Sequence, residues 1–141
     1  MFNAIPLTVT QVSPTQWRIE REVTFHVGSP DSSDIIIVPD GFITDFASVP
    51  WPASMLIPLS GRHNMAAVVH DFLYSLLGEV KSPNNMKKRS RAQCDAIFLE
   101  ALRACGCNWI KSQIMYRAVR TFGFLPWNDH ARKNNEKAGD H

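Results

Sequence analysis

The chain has 141 residues, 45% of them hydrophobic and 20% charged, with a formal charge of +2. That is enough for one domain with a packed core and too little for two. So weak a net charge creates no polyanion-binding field, so nucleic-acid binding is not expected, and no apolar run approaches the roughly 18 residues that span a bilayer.

Asn3 and Pro6 interrupt the N-terminal apolar residues and no basic stretch precedes them, so no signal peptide is read there. Cys94, Cys105 and Cys107 are odd in number and crowded late in the chain. Cys105-Gly106-Cys107 is too tight for a redox or zinc CxxC pattern, and no second pair exists. The expectation is a reduced cytoplasmic site of folding with free buried thiols.

In chain order, short β-type runs come first, at 7–12, 16–19, 23–27 and 34–38. Ser13-Pro14, Gly28-Ser29-Pro30-Asp31 and Pro39-Asp40-Gly41 punctuate them as turns. Such close spacing favours an antiparallel meander over βαβ units. Residues 41–50 (GFITDFASVP) read as a loop leaving the sheet. From His63 onward the period becomes helical. One helix is expected at 64–77, ended by Gly78, and a second from an N-cap at Ser90 to about 104. A third is expected at 109–121, stopped before Gly123. The fold class is α+β: a small N-terminal antiparallel β-meander followed by a three-helix segment. Residues 1–127 form the domain, and 128–141 read as a polar C-terminal tail.

The second helix carries an apolar stripe of Phe98, Leu99, Leu102 and Cys105, and Asp95 lies on that stripe. A carboxylate so placed is costly unless it is paired or hydrogen-bonded. The first helix offers partners: His70 shares a face with Ala66, Ala67, Leu73 and Leu77, and Tyr74 follows one turn later. An imidazole held by a carboxylate is fixed in one tautomer and suited to general-base work. Asp71 points about 100° away around the helix and would face the mouth of such a site. Each residue also has a plainer reading. His70 fits a satisfied core histidine, and Asp95 an ion-pair partner for Arg89 or Arg91. Arg117 and Arg120 are further candidates to hold Asp95 or Glu100, and Arg120 on Asp95 would weaken the case for His70 as a supported base. The basic run Lys87-Lys88-Arg89 and Arg91 reads as a solvated helix start, or as a contact for anionic lipid headgroups.

The blocks GFITDFASVP, AAVVHDFLY, RAQCDAIFLEAL and MYRAVRTFG, in that order, resemble a phage and prophage family known as domain of unknown function 1353. The similarity covers most of residues 41–123. It implies a bacteriophage or prophage origin and assigns no activity; with no signal peptide read, synthesis is expected in the host cytoplasm, followed by incorporation into the virion.

His70-Asp71-Phe72-Leu73-Tyr74, followed by the helix of Asp95, also resembles phospholipase A2 over some 30 residues. That resemblance implies His70 as the base that activates water, Asp71 as a Ca2+ ligand, and Tyr74 and Asp95 as supports of the histidine. The AAVVHD lead-in is similar to disulfide-free phospholipase domains of small viral capsid proteins. The family's Gly-rich Ca2+ loop has no counterpart here; Asp45 is the candidate replacement ligand, with a loop-capping role as its other reading. The function expected on this path is metal-assisted ester hydrolysis at the host envelope, on an anionic lipid or other envelope ester. The alternative is a non-enzymatic tail or capsid-associated component that contacts other phage structural proteins through Trp51, Trp127 and the basic pair Arg132-Lys133. The order His63, His70-Asp71, Asp95 further resembles HD phosphohydrolases, whose fold is a larger, all-helical domain. Ser48 and Ser60 lack the GxSxG context of a nucleophile elbow.

Overall fold

The computed structural model describes residues 2, 7–14, 16–44, 63–82 and 85–139. The chain runs through β1 (Val9–Ser13), β2 (Gln16–Ile19), β3 (Val23–His26), β4 (Ile35–Val38) and β5 (Ile43–Thr44). It continues through α1 (His63–Ser75), β6 (Glu79–Ser82), β7 (Asn85–Lys88), α2 (Arg91–Ala104), α3 (Trp109–Phe122) and α4 (Phe124–Gly139). This is the expected α+β order, strands first and helices after.

All described strand pairs are antiparallel, but they do not form one continuous meander. β2 pairs with β1 on one edge and with β5 on the other, whereas β3 pairs with β4. The turn at 39–41 brings the chain back, with Gly41 N donating to Ile19 O at 2.7 Å and Ile19 N to Phe42 O at 2.9 Å. Ile43 and Thr44, read from sequence as the start of a loop, therefore complete a three-stranded sheet. In the β3–β4 hairpin the register places Val23 opposite Val38 and Phe25 opposite Ile36. All four are buried, so the period of two puts one face of the hairpin into the core. Val68, Val69, Phe72 and Leu73 of α1 belong to that same core.

Local chemistry sets the helix limits. Ser90 caps α2 in a reciprocal capping box: its hydroxyl accepts from Gln93 N at 3.2 Å, and its own N donates to the Gln93 side chain at 2.8 Å. Asn108 caps α3 by accepting from Lys111 N at 2.8 Å. At the end of α1, Gly78 takes a φ of +80° and donates to Leu73 O at 2.8 Å. A side chain there would also strike the Arg89 carbonyl, because Arg89 N donates to Gly78 O at 2.9 Å and closes the neck of the β6–β7 hairpin. That hairpin, absent from the sequence reading, carries the chain from α1 to α2.

A fourth helix adds to the three expected. α3 and α4 are nearly continuous through Gly123, and the stretch from Asn128 read as a tail continues α4 to residue 139. Asp129 pairs with Arg132 at 2.7 Å and with Lys133 at 2.9 Å, spacings that reinforce a helix. Trp127, expected exposed in a loop, instead stands edge-on to Tyr74 with ring centroids 5.1 Å apart.

Candidate functional site

Asp95 is the centre of the helical half. Its side chain is wholly buried, as the apolar stripe of α2 requires, and four donors surround it. His70 Nε2 lies 2.8 Å from Oδ1, and the Tyr74 hydroxyl donates to the same oxygen at 2.6 Å. On the other oxygen, Arg120 Nη1 donates to Oδ2 at 2.8 Å, and Arg91 Nη1 stands 3.5 Å away. One carboxylate thus joins α1, α2 and α3.

The three residues expected to act together, His70, Tyr74 and Asp95, do meet. Since the carboxylate can only accept, His70 Nε2 carries the proton and Nδ1 has the lone pair. The imidazole is 2% exposed and lies between the rings of Tyr74 and Phe98, with centroids 4.2 and 4.6 Å away. Burial pushes the His70 pKa below the ordinary imidazole value, against the hydrogen bond and charge of Asp95, which pull it upward. His70 is neutral at neutral pH. Burial likewise raises the Tyr74 phenol, with the Asp95 hydrogen bond acting in the same direction.

Arg120 on Asp95 is the arrangement that counts against a supported base. Part of the carboxylate's field is spent on two guanidinium groups, and less of it stabilises a protonated His70. Arg91 is tied further by its donation to Val119 O at 3.1 Å and to Arg120 O at 3.3 Å. Its i,i+4 spacing to Asp95 was the signal in the sequence. Gly123 had no such signal: a Cβ there would overlap the Val119 carbonyl, lie 2.5 Å from the Tyr74 hydroxyl and 3.0 Å from Arg91 Nη1. Only glycine lets the α3–α4 junction approach the network this closely.

The expected metal ligands are not assembled by the described residues. Asp71 is buried, 7% exposed, rather than open at a mouth, and it has an interaction of its own. Asp45 and the loop beyond it lie outside the described residues, as do Ser48, Trp51, Ser60 and the His63 side chain. Among the described residues no three His, Cys, Asp or Glu side chains form a group able to hold a metal ion. Ca2+ takes roughly six to eight oxygen ligands, and Asp71 supplies one carboxylate. Completing that cage would need oxygens from outside the described residues.

The remaining expectations divide. Cys94, Cys105 and Cys107 are free and buried, and burial pushes the Cys94 thiol up to about 12. Arg89, read as part of a solvated basic run, is 4% exposed and paired with Asp34. Arg117 is exposed. No described helix is long and apolar enough to cross a membrane.

No curated protein and no solved structure gives a match to this chain. A family model does match, over residues 17–119, which include the β3–β4 hairpin, β5, all but the first residue of β2, and every residue of the Asp95 network except Arg120, and leave out β1. The chain belongs to the family described as protein of unknown function (DUF1353).

Proposed function

We propose that this protein is a non-enzymatic phage or prophage component, acting in the particle or its assembly, and that the His70–Tyr74–Asp95 set is a packing network. The observation that carries this reading is the saturation of Asp95. Both of its oxygens are occupied, one by two neutral donors and the other by two guanidinium groups, with no exposed edge. A buried, fully satisfied polar cluster of this kind fixes how helices dock. The phage assignment rests on the order of the sequence blocks. A contact role gains support from α3, where Trp109 and Ile110 are exposed by 61% and 67%.

One observation favours the hydrolase reading instead. With Nε2 turned to Asp95, His70 has its lone pair on Nδ1, the tautomer a general base requires. On that reading Asp71 and Asp45 bind Ca2+ and an envelope ester is the substrate.

A single experiment separates them. The purified full-length protein is assayed for fatty-acid release from anionic phospholipid vesicles with and without Ca2+, beside His70→Ala, and the unfolding of both is followed. The packing reading expects no release above background and a lowered melting temperature in the variant. Ca2+-dependent release, lost in a His70→Ala protein that melts like the wild type, would overturn it.

A further inference from the structure

On the face of α2 opposite the Asp95 network lies a cleft of about 280 Å³, bounded by β7 and by the segment joining β3 to β4. Arg89 forms part of its wall. The side chain is 4% exposed; its Nη2 donates to Asp34 Oδ1, while its Nη1 is buried without any hydrogen-bond partner. It is the one buried side-chain nitrogen or oxygen so left among the described residues. A charged donor in that condition is costly.

Three neighbouring carboxylate oxygens are already engaged, Asp34 Oδ1 by Arg89 itself. Lys87 Nζ takes Asp34 Oδ2 at 2.8 Å, and Glu100 Oε1 accepts from Gly28 N at 2.5 Å. Gln93, also in the lining, is held by the Ser90 capping box. Lys87 and Arg89 share the carboxylate of Asp34, and Lys88 is paired outside the cleft with Glu79 at 3.4 Å. No acceptor of the lining reaches Arg89 Nη1. Val27, Ala96 and Ile97 give it an apolar side.

We propose that this cleft binds a small organic oxyanion, a carboxylate or phosphate on a short carbon skeleton, with Arg89 as its anchor. Its Nη1 can donate to an oxygen of either group while Nη2 keeps Asp34. Lys87, about half exposed, is held to Asp34 by an ion pair open to solvent, so it can exchange that carboxylate for the incoming anion. The apolar wall takes the carbon chain. This assignment is independent of the role of Asp95.

The test uses the full chain titrated with inorganic phosphate and, separately, with butyrate, at constant ionic strength against sodium chloride. Calorimetry reads affinity, and the Arg Nε–Hε signals in 1H–15N NMR read the site. Saturable one-to-one binding is expected, with the Arg89 signal moving. Whichever probe saturates first names the group the ligand carries. Lys87→Ala should weaken binding about tenfold, and Arg89→Lys, which keeps the charge but loses the Nη1 donors, by at least as much. Ala96→Trp, which leaves the Arg89–Asp34 pair intact, should occlude the cleft and abolish binding. The proposal is overturned if neither probe saturates, if chloride reproduces the shifts, or if a folded Ala96→Trp protein binds as well as the wild type.

Discussion

Arg120 Nη1 approaches Asp95 Oδ2 to 2.8 Å from the side opposite His70 and Tyr74, so α3 is fastened to the carboxylate that α1 holds by its other oxygen. Removing the carboxylate takes the charged partner from both guanidinium groups at once. Asp95→Asn should therefore cost about 3–5 kcal/mol, the scale for breaking a buried ion pair from one side. Arg120→Met should cost much less, because Arg91, His70 and Tyr74 still serve Asp95. Urea unfolding of the two variants and of the double mutant measures the difference, and equal losses would show that Asp95 does not act as the hub.

Acid should weaken the fold through His70. Its folded pKa lies below the ordinary 6.5, with burial as the leading cause. As pH falls through 6.5 the unfolded chain takes up a proton that the folded chain resists. Stability from this group is thus complete above 6.5 and is lost below it, by up to about 1.4 kcal/mol per pH unit until the folded pKa is reached. Chemical denaturation at a series of pH values checks this, and His70→Gln should flatten that part of the curve. Asp95, Tyr74 and Arg91 all face the imidazole. Arg91→Met, by removing a charge that lowers the pKa, should shrink the acid loss.

Gly123→Ala is a small change with a large expected effect. The added methyl meets the Val119 carbonyl and the Tyr74 hydroxyl, so the α3–α4 junction must shift away from the network. A loss of about 1–3 kcal/mol is expected, the usual cost of overpacking. Because Trp127 leans on Tyr74, its fluorescence should change with the shift; an unaltered spectrum and melting temperature would contradict the close approach.

Cys94 should be inert in the folded protein. Its thiol is buried and pushed up to about 12, so little thiolate exists at neutral pH. Alkylation at that position should require the opening of α2, and its rate should rise in step with denaturant. Fast labelling in the native state would refute the packing described.

The α+β order, the α2 cap at Ser90 and the meeting of His70, Tyr74 and Asp95 were all legible in the sequence. They depend on local signals: turn residues, a capping hydroxyl, and a carboxylate on an apolar stripe. Helix α4 was not legible, because its second half is polar all round and is held by ion pairs and one tryptophan contact. β5 was missed because two residues are too few for a period, and only the 39–41 turn places them on β2. Nor could the position of Arg89 be read. Three consecutive cations look alike in sequence, and it is the β3–β4 connection, bringing Asp34 across, that buries the third.

The neck between Gly78 and Arg89 has a consequence for how the chain tolerates change. The backbone bond there fixes where α1 ends and α2 begins, at the base of the β6–β7 hairpin. Extra residues inserted between Ser82 and Asn85 would lengthen a closed loop, and each doubling of such a loop costs only about 0.6 kcal/mol. A peptide tag placed there would ride on the neck while leaving helix spacing, and with it Asp95, untouched.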